Sequence, residues 1–492
     1  MADDGTSGPT DGDAAGSIWA GNELVRTGTL VRRAPVTCDP ATPIAEAAAT
    51  MARDRISSII VPHADGLGIL TDRDLRSRVV AVRRDPEAPV SDVMTQEART
   101  IRSDAMAGEV LLTMLEVGVH HLPVLDADGS LIGVLTDTDV MELGRDSPFV
   151  LKGAIDSSAD AAAAIEAAHA LPRVVASMTP AGVDPVDVGY AVALMRDALT
   201  QRFLALAADD LGAAPVPWAW LALGSEARRE QGLQSDQDHA IAFASGSDDR
   251  VDAYFADLAE HVTANLEASG IPRCRGGVMA TEPELRRPLD HWIDAFRAWM
   301  ADLGTVGSLQ GTILFDLRQL AGDLASEPPL DEVLMEAPTV PGFATHLARR
   351  ALDDRPPLGL FGRLRTERTG EHAGTIDVKH RGLLLITSFA RARALAHGLT
   401  EKSTLSRLRS LADLGAVSEP DASDIADAFR FLWGVRLRHQ VERSLAGRPP
   451  DDHVDPRSLS YVTRRALRET LRVVERMQHL LLLELPGRMP IR

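Results

Sequence analysis

Gly224 to Asp238 reads GSEARREQGLQSDQD, and the reading of these residues decides what the middle of the chain is. Just before it, WAWLALG is a short apolar run bounded by Pro217 and ending at Gly224, which predicts a buried strand breaking into a turn. Polar residues then open a helix. A strand, a Gly-Ser turn and a helix N-terminus direct free backbone N–H groups and the positive end of the helix dipole at one spot, which suits phosphate. Ten residues separate Ser225 from Asp236, and Asp238 stands two further on, ahead of the apolar run Ala240 to Phe243. Residues two apart on a strand face the same way, so both carboxylates would project together and hold magnesium. An isolated Asp-x-Asp is more often a solvated strand end; the Gly-Ser turn and the spacing give this one its weight.

That arrangement resembles the nucleotidyltransferase superfamily. The resemblance implies a third carboxylate on a later strand, and Asp316 in TILFDLR is the candidate, with Arg318 two residues on, much as in bacterial uridylyl- and adenylyltransferases that modify regulatory proteins. It further implies that Asp236, Asp238 and Asp316 are the catalytic residues and the ligands of Mg2+ or Mn2+. Gly224 and Ser225 would bind the β- and γ-phosphates of a nucleoside triphosphate, helped by Arg228 or Arg229 as charge-assisted donors. An acceptor hydroxyl would attack the α-phosphorus and release pyrophosphate.

At 492 residues the chain is long enough for three domains that each bury a core. Hydrophobic content of 45% with 25% charged residues is ordinary soluble composition, so the chain is expected to fold as globular domains. No apolar run approaches a membrane span, and MADDGTSGPTDGDAAG is acidic rather than a targeting leader, so a cytoplasmic protein without a membrane partner is expected. Cys38 and Cys274 are too few and too far apart for a disulfide framework and read as idle thiols. A net charge of −19 repels polyanions, which makes a nucleic-acid polymer an unlikely substrate. The scarcity of lysine (Lys152, Lys379 and Lys402) is a compositional bias.

Residues 1–17 lack apolar periodicity and are expected to be a disordered tail. Further on, RISSIIVPHADGLGILTDRDL overlays GVHHLPVLDADGSLIGVLTDTDV, with two extra residues in the second copy's hairpin turn. Each copy has a helical stretch, an apolar strand, an Asp-Gly turn, a second strand and Thr-Asp-x-Asp opening a helix. The duplicated pattern resembles a tandem pair of cystathionine-β-synthase (CBS) domains. The resemblance implies an adenine nucleotide between the repeats, with Asp74 and Asp139 on ribose hydroxyls and Thr71 and Thr136 near phosphate. Equally, each threonine could simply cap its helix. His120 and His121 read as cleft or packing residues.

Residues 146–212 read as helical, with Pro172, Pro180 and Pro185 as breaks. In RCRGGVMA, Gly276 and Gly277 could let backbone approach a ligand or make a turn. Trp292, Phe296 and Trp299 recur at helical spacing and read as a core stripe. Arg286 and Arg287 either reach triphosphate or are solvated. From about 340 onward the pattern is a bundle of amphipathic helices, and within it Asp377, Lys379, His380 and Arg381 form a charged cluster that either binds the acceptor, through Lys379 and His380, or is a solvated first turn.

The order of these parts is similar to a bacterial family of signal-transduction nucleotidyltransferases related to protein-PII uridylyltransferase. His239 departs from that family, which commonly has Asn there. The expected fold class is multidomain α/β and α: a CBS pair over 18–150, a helical connector over 151–212, a nucleotidyltransferase-like α/β core over 213–330 and a helical substrate-binding domain over 331–492. The expected function is transfer of a nucleoside monophosphate to an acceptor, a protein hydroxyl, under control of adenine nucleotide, in a homodimer made through the CBS pair. A catalytically idle nucleotide sensor, or a transferase of small molecules, are the alternatives.

Overall fold

The computed structural model describes residues 26–140, 146–178, 183–245, 249–302 and 310–484; the expected tail over residues 1–17 lies outside them. The chain forms two compact units, one of residues 1–145 with 181–183 and the other of residues 146–180 with 184–492.

In the first unit, strands Ser58–His63 (β1) and Gly66–Thr71 (β2) form an antiparallel hairpin in register from Ser58 opposite Thr71 to His63 opposite Gly66. Gly66 takes φ 144, which a side chain would resist, at the tight Asp-Gly turn. The second copy pairs Ile101–Arg102 (β3) parallel to His121–Leu125 (β4), and β4 antiparallel to Leu131–Thr136 (β5). Its longer turn is accommodated by a register shift between Val124 and Leu125. Helix Ile44–Asp54 closes the first repeat with Ile44, Ala47 and Met51, packed on Ile59, Val61 and Leu70. Helix Ala107–Val117 occupies the same place in the second repeat and ends at Gly118, φ 72.

The second unit is built on a sheet of order β8-β7-β6-β9, formed by Trp218–Leu223 (β6), His239–Phe243 (β7), Arg286–Pro288 (β8) and Leu317–Gly322 (β9). β6 runs antiparallel to both β7 and β9, and β7 is parallel to β8. Ala219 to Leu223 and all of β7 are buried, which explains the apolar runs Ala219 to Leu223 and Ala240 to Phe243. On one face Trp292 and Phe296 of helix Leu289–Ala301 pack with Phe315, Leu330 and Phe343, while Trp299 is half-buried against them; the aromatic stripe is core. Trp292 Nε1 donates to the Ile241 carbonyl at 3.0 Å.

The segment read as a connector belongs to this unit. Helix Pro185–Leu211 starts with Asp184 capping Val186 N–H, and Pro185 sits at its first turn, so this proline starts a helix rather than breaking one. The helix is buried along most of its length, charged Arg196 and Asp197 included. Helices Phe343–Arg350, Leu384–Ala396, Thr404–Asp413, Glu419–Leu445 and Tyr461–Glu484 follow the sheet, and Ile376–Asp377 (β10) pairs with His453–Val454 (β11) among them.

Candidate active site

β6 ends at Leu223, whose N–H donates to the Asp238 carbonyl at 2.8 Å, so the turn and the acidic strand start are tied together. Gly224 takes φ 54, and a Cβ there would lie 2.7 Å from Ile313 Cγ2 and 3.2 Å from Asp238 Oδ2. Glycine is needed twice over, for its backbone angle and for the approach of the carboxylate. Its N–H donates to the Asp316 carbonyl at 2.9 Å, so it is already committed within the fold, and Ser225 beside it is half-buried. The helix predicted after the turn is a single turn, Gly224–Ala227.

The loop from Glu230 to Ser235 is fixed by buried side chains from distant helices. Arg196 donates to the carbonyls of Ser235 at 3.1 Å and Leu233 at 3.2 Å, and Gln440 Oε1 accepts from Leu233 N–H at 2.8 Å. Alternation then sorts the next four residues. Gln237 and His239 point into the protein: Gln237 Nε2 donates to the Ile271 carbonyl at 2.8 Å, and His239 Nδ1 accepts from Ala280 N–H at 3.0 Å. Burial drives His239 down to about 3, so it is a neutral packing residue whose ring lies tilted against Trp220, 4.6 Å between centroids.

Asp236 and Asp238 face the other way and meet, with Cys274, in a cluster whose ligand atoms all lie within 4.8 Å of one another. Asp238 is pushed up to about 7 by burial and then by the charge of Asp236. Its Oδ1 is buried without a hydrogen-bond partner. A buried, orphaned carboxylate oxygen beside a second carboxylate is a site that a divalent cation would satisfy, so the residues fit Mg2+ or Mn2+. Cys274, read from sequence as an idle thiol, lies within 4.8 Å of Asp238 and is pushed up to about 12 by burial and then by that carboxylate. The Gly276–Gly277 turn brings it there, with Gly277 N–H donating to the Cys274 carbonyl at 3.1 Å. That pair was the one sequence signal for the contact. Lys379 lies close enough for its charge to act on Asp238, whereas His380 turns to Asp377, 2.8 Å from Nδ1 to Oδ2.

Asp316 is not brought to that cluster. It is fully buried among three guanidiniums: Oδ2 accepts from Arg228 Nη1 at 2.5 Å, Arg391 Nη2 at 2.6 Å and Arg391 Nε at 3.0 Å, and Arg407 Nη2 lies 2.6 Å from Oδ1. Burial alone would raise its pKa, yet the three arginines hold it well below the usual carboxylate range. Asp316 is thus ion-paired to three arginines, with Oδ2 hydrogen-bonded to Arg228 and Arg391 and Oδ1 beside Arg407 but making no hydrogen bond. Arg228 is corrected with it. Its Nε donates to Glu230 at 2.7 Å, and Glu230 in turn accepts from Thr404 N–H at 2.6 Å and Thr404 Oγ1 at 3.0 Å, so this arginine ties the sheet to the C-terminal helices, while its charge, like that of Lys379, still acts on Asp238. Arg229 is likewise turned to helix Pro185–Leu211, with Asp197 at 3.6 Å and Tyr190 as partners. Arg318 pairs with Asp197 at 2.9 Å. Arg286 holds the Ala280 carbonyl at 2.8 Å, and Arg287 lies 5.2 Å over the Trp292 ring, so neither is simply solvated and neither joins the carboxylates. Sequence reading also passed over Glu226, which burial and Asp197 raise to about 8.

In the first unit both Thr-x-x-Asp motifs are caps. Thr71 Oγ1 donates to Asp74 Oδ2 at 2.7 Å while Asp74 N–H returns to Thr71 Oγ1, and Thr136 Oγ1 donates to Asp139 Oδ2 at 2.6 Å. His121 Nε2 lies 2.7 Å from Ser57 Oγ and joins the two repeats, and His120 Nδ1 lies 2.8 Å from Asp137.

Comparison with known proteins divides the chain in the same order. Residues 28–81 and 90–146 match the CBS domain, residues 169–305 match the family described as "Putative nucleotidyltransferase DUF294", and residues 341–485 match the "Putative nucleotidyltransferase substrate binding domain" that accompanies it. The chain thus carries a CBS pair, a nucleotidyltransferase-like domain and a C-terminal helical region. An uncharacterized protein of Methanopyrus kandleri is 30% identical over 122 residues, 24% of this chain and 62% of its own length. A CBS domain-containing protein of Arabidopsis thaliana is 32% identical over 134 residues, 27% of this chain and 24% of its own. Among solved structures, a CBS domain protein of Pyrobaculum aerophilum complexed with AMP is 25% identical, covering 23% of this chain and 89% of that one, with a TM-score of 0.22. The chain thus spans less than two thirds of the curated relatives it matches. Among the described residues no helix is long and apolar enough to cross a membrane.

Proposed function

We propose that the protein is a metal-dependent nucleotidyltransferase that moves a nucleoside monophosphate from a nucleoside triphosphate to an acceptor hydroxyl, a protein side chain as in protein-PII uridylyltransferase. The observation that carries this reading is the meeting of Asp236 and Asp238 beside Gly224, with Asp238 Oδ1 buried and unpartnered. Those two carboxylates would hold Mg2+ or Mn2+. A divalent cation there supplies positive charge to the triphosphate and lowers the pKa of the attacking hydroxyl. Around it, Gly224 lets the chain approach the carboxylates, Ser225 offers its hydroxyl to the phosphates, and Lys379 brings a positive charge from the C-terminal helices to the acceptor side. The new bond joins the acceptor oxygen to the α-phosphorus as the bond to the pyrophosphate oxygen breaks. Adenine nucleotide at Asp74 and Asp139 of the CBS pair, which also makes the homodimer, would control transfer.

The pairing of Asp316 with three arginines favours a second reading, a catalytically idle nucleotide sensor, in which Asp236, Asp238 and Cys274 would hold a cation without the third carboxylate of the active pattern. One experiment separates them. The purified protein is incubated with Mn2+ and each α-labelled nucleoside triphosphate in a cell lysate of the source, and labelled macromolecules are sought. A labelled product absent with Asp236→Asn supports transfer, whereas no label together with intact metal–nucleotide binding by calorimetry refutes transfer and leaves the sensor.

A further inference from the structure

We propose that the C-terminal helical region holds a second anion site, separate from the Asp236–Asp238 centre, that binds a polyphosphorylated small molecule. The site is a cavity of about 830 Å³ walled by the chain after helix Phe343–Arg350, by residues 365–369 and 375–381, and by helix Tyr461–Glu484. Six arginines line it: Arg355, Arg365, Arg368, Arg381, Arg472 and Arg476. Against them stand the carboxylates of Glu367, Asp377 and Glu475, so the cavity keeps an excess of positive charge in a chain whose net charge is −19. Such a concentration runs against the overall field of the molecule, and like charges held together around a cavity destabilise it until an anion enters.

The arginines are not all committed elsewhere. Arg381 lies 3.6 Å from Asp354, Arg472 2.9 Å from Glu469, and Arg476 pairs with Asp424, all at exposed positions where such pairs contribute little. Arg355, Arg365 and Arg368 have no side-chain hydrogen bond or ion pair among the described residues. Backbone bonds fix the turns that carry Arg365 and Arg368, and the Arg355 carbonyl accepts from Arg381 Nη1 at 3.4 Å. Arg365 N–H donates to the Pro357 carbonyl at 2.8 Å and Gly359 N–H to the Arg363 carbonyl at 2.7 Å, while Glu367 and Gly374 close a second turn through bonds of 2.9 and 2.8 Å. Buried Gln478 holds the remaining wall, donating to the Ala351 and Asp354 carbonyls at 3.1 and 2.7 Å. The cavity is thus largely formed before any ligand arrives.

The chemistry of the lining selects the ligand class. Guanidinium forks match phosphate oxygens two at a time, and several around one cavity match a molecule with more than one phosphate. Among the described residues no phenylalanine, tyrosine or tryptophan lines the cavity, and recognition falls on the phosphates. The volume suits a small molecule rather than a polymer. None of Gly224, Ser225, Asp236, Asp238 and Cys274 lines it.

The test uses inorganic tripolyphosphate and the full chain in EDTA, where a cation-dependent centre is silent. Calorimetry should show one binding event per chain that survives Asp236→Asn/Asp238→Asn and weakens at least tenfold in Arg355→Ala/Arg365→Ala/Arg368→Ala. A control removing three other exposed arginines, Arg53→Ala/Arg84→Ala/Arg448→Ala, should keep wild-type affinity, and citrate should bind at least tenfold more weakly than tripolyphosphate. The proposal falls if wild type binds no tripolyphosphate, if the cavity variant binds as tightly as wild type, if the control loses as much affinity as the cavity variant, or if citrate binds equally well. Loss of binding in the Asp236/Asp238 double variant would place the anion at the first centre instead.

Discussion

Replacing Asp316 by asparagine removes the negative charge that faces Arg228, Arg391 and Arg407 and keeps the volume of the side chain nearly unchanged. Three guanidiniums within 2.6 Å of the carboxylate then stay buried with their main counter-charge gone. Breaking a buried ion pair by removing one partner costs about 3–5 kcal/mol. At roughly 2–4 °C per kcal/mol for a unit of this size, melting should fall by on the order of 10 °C. Arg391→Met in the same background should recover part of that loss, since the two residues share one interaction. The stabilisation is also pH-dependent. The folded-state pKa is depressed, so the contribution is present above the unfolded value of about 3.9 and is withdrawn as the pH falls below it. Scanning calorimetry of the metal-free variants measures the loss, and titration with Mn2+ and nucleotide at low temperature measures the centre separately. An Asp316→Asn protein that melts like wild type but no longer binds metal–nucleotide would refute the caged reading and restore Asp316 as a ligand.

Asp238 titrates in the opposite sense: its folded-state pKa of about 7 lies above the unfolded value, so its stabilising contribution is present below about pH 4 and is lost as the pH rises through 7. A bound cation replaces that proton, and the melting increase given by Mn2+ should be larger at pH 8 than at pH 5.5; equal increases at both would contradict the site. Gly224→Ala forces a side chain into φ 54 and against Asp238, a strain of about 1–2 kcal/mol, and should weaken metal–nucleotide binding roughly tenfold with circular dichroism unchanged; undiminished affinity counts against the close approach. Asp74→Ala and Asp139→Ala each remove a helix cap and should cost the first unit about 1 kcal/mol. They should also abolish any melting increase given by AMP, ADP or ATP, and an increase that persists in both variants would place the nucleotide elsewhere.

What the sequence determined by itself was local. Asp-Gly between short apolar runs dictates a hairpin, repetition dictates a second copy, and a two-residue spacing at a strand start sends Asp236 and Asp238 to one side while Gln237 and His239 go to the other. These follow from backbone geometry over a few residues, which composition and spacing express directly. Which charges meet across the chain was decided by packing. Arg391 and Arg228 reach Asp316 across separations of 75 and 88 residues, and Thr404 reaches Glu230 across 174. An aspartate ahead of β9 has the same local signature whether a cation or an arginine awaits it. The helices carrying Arg391 and Arg407 fill that space with guanidiniums, and the loop turned by Gly277 carries Cys274 to the two carboxylates instead. Buried charge must be neutralised by whatever the fold brings near it, and only the tertiary structure names that partner.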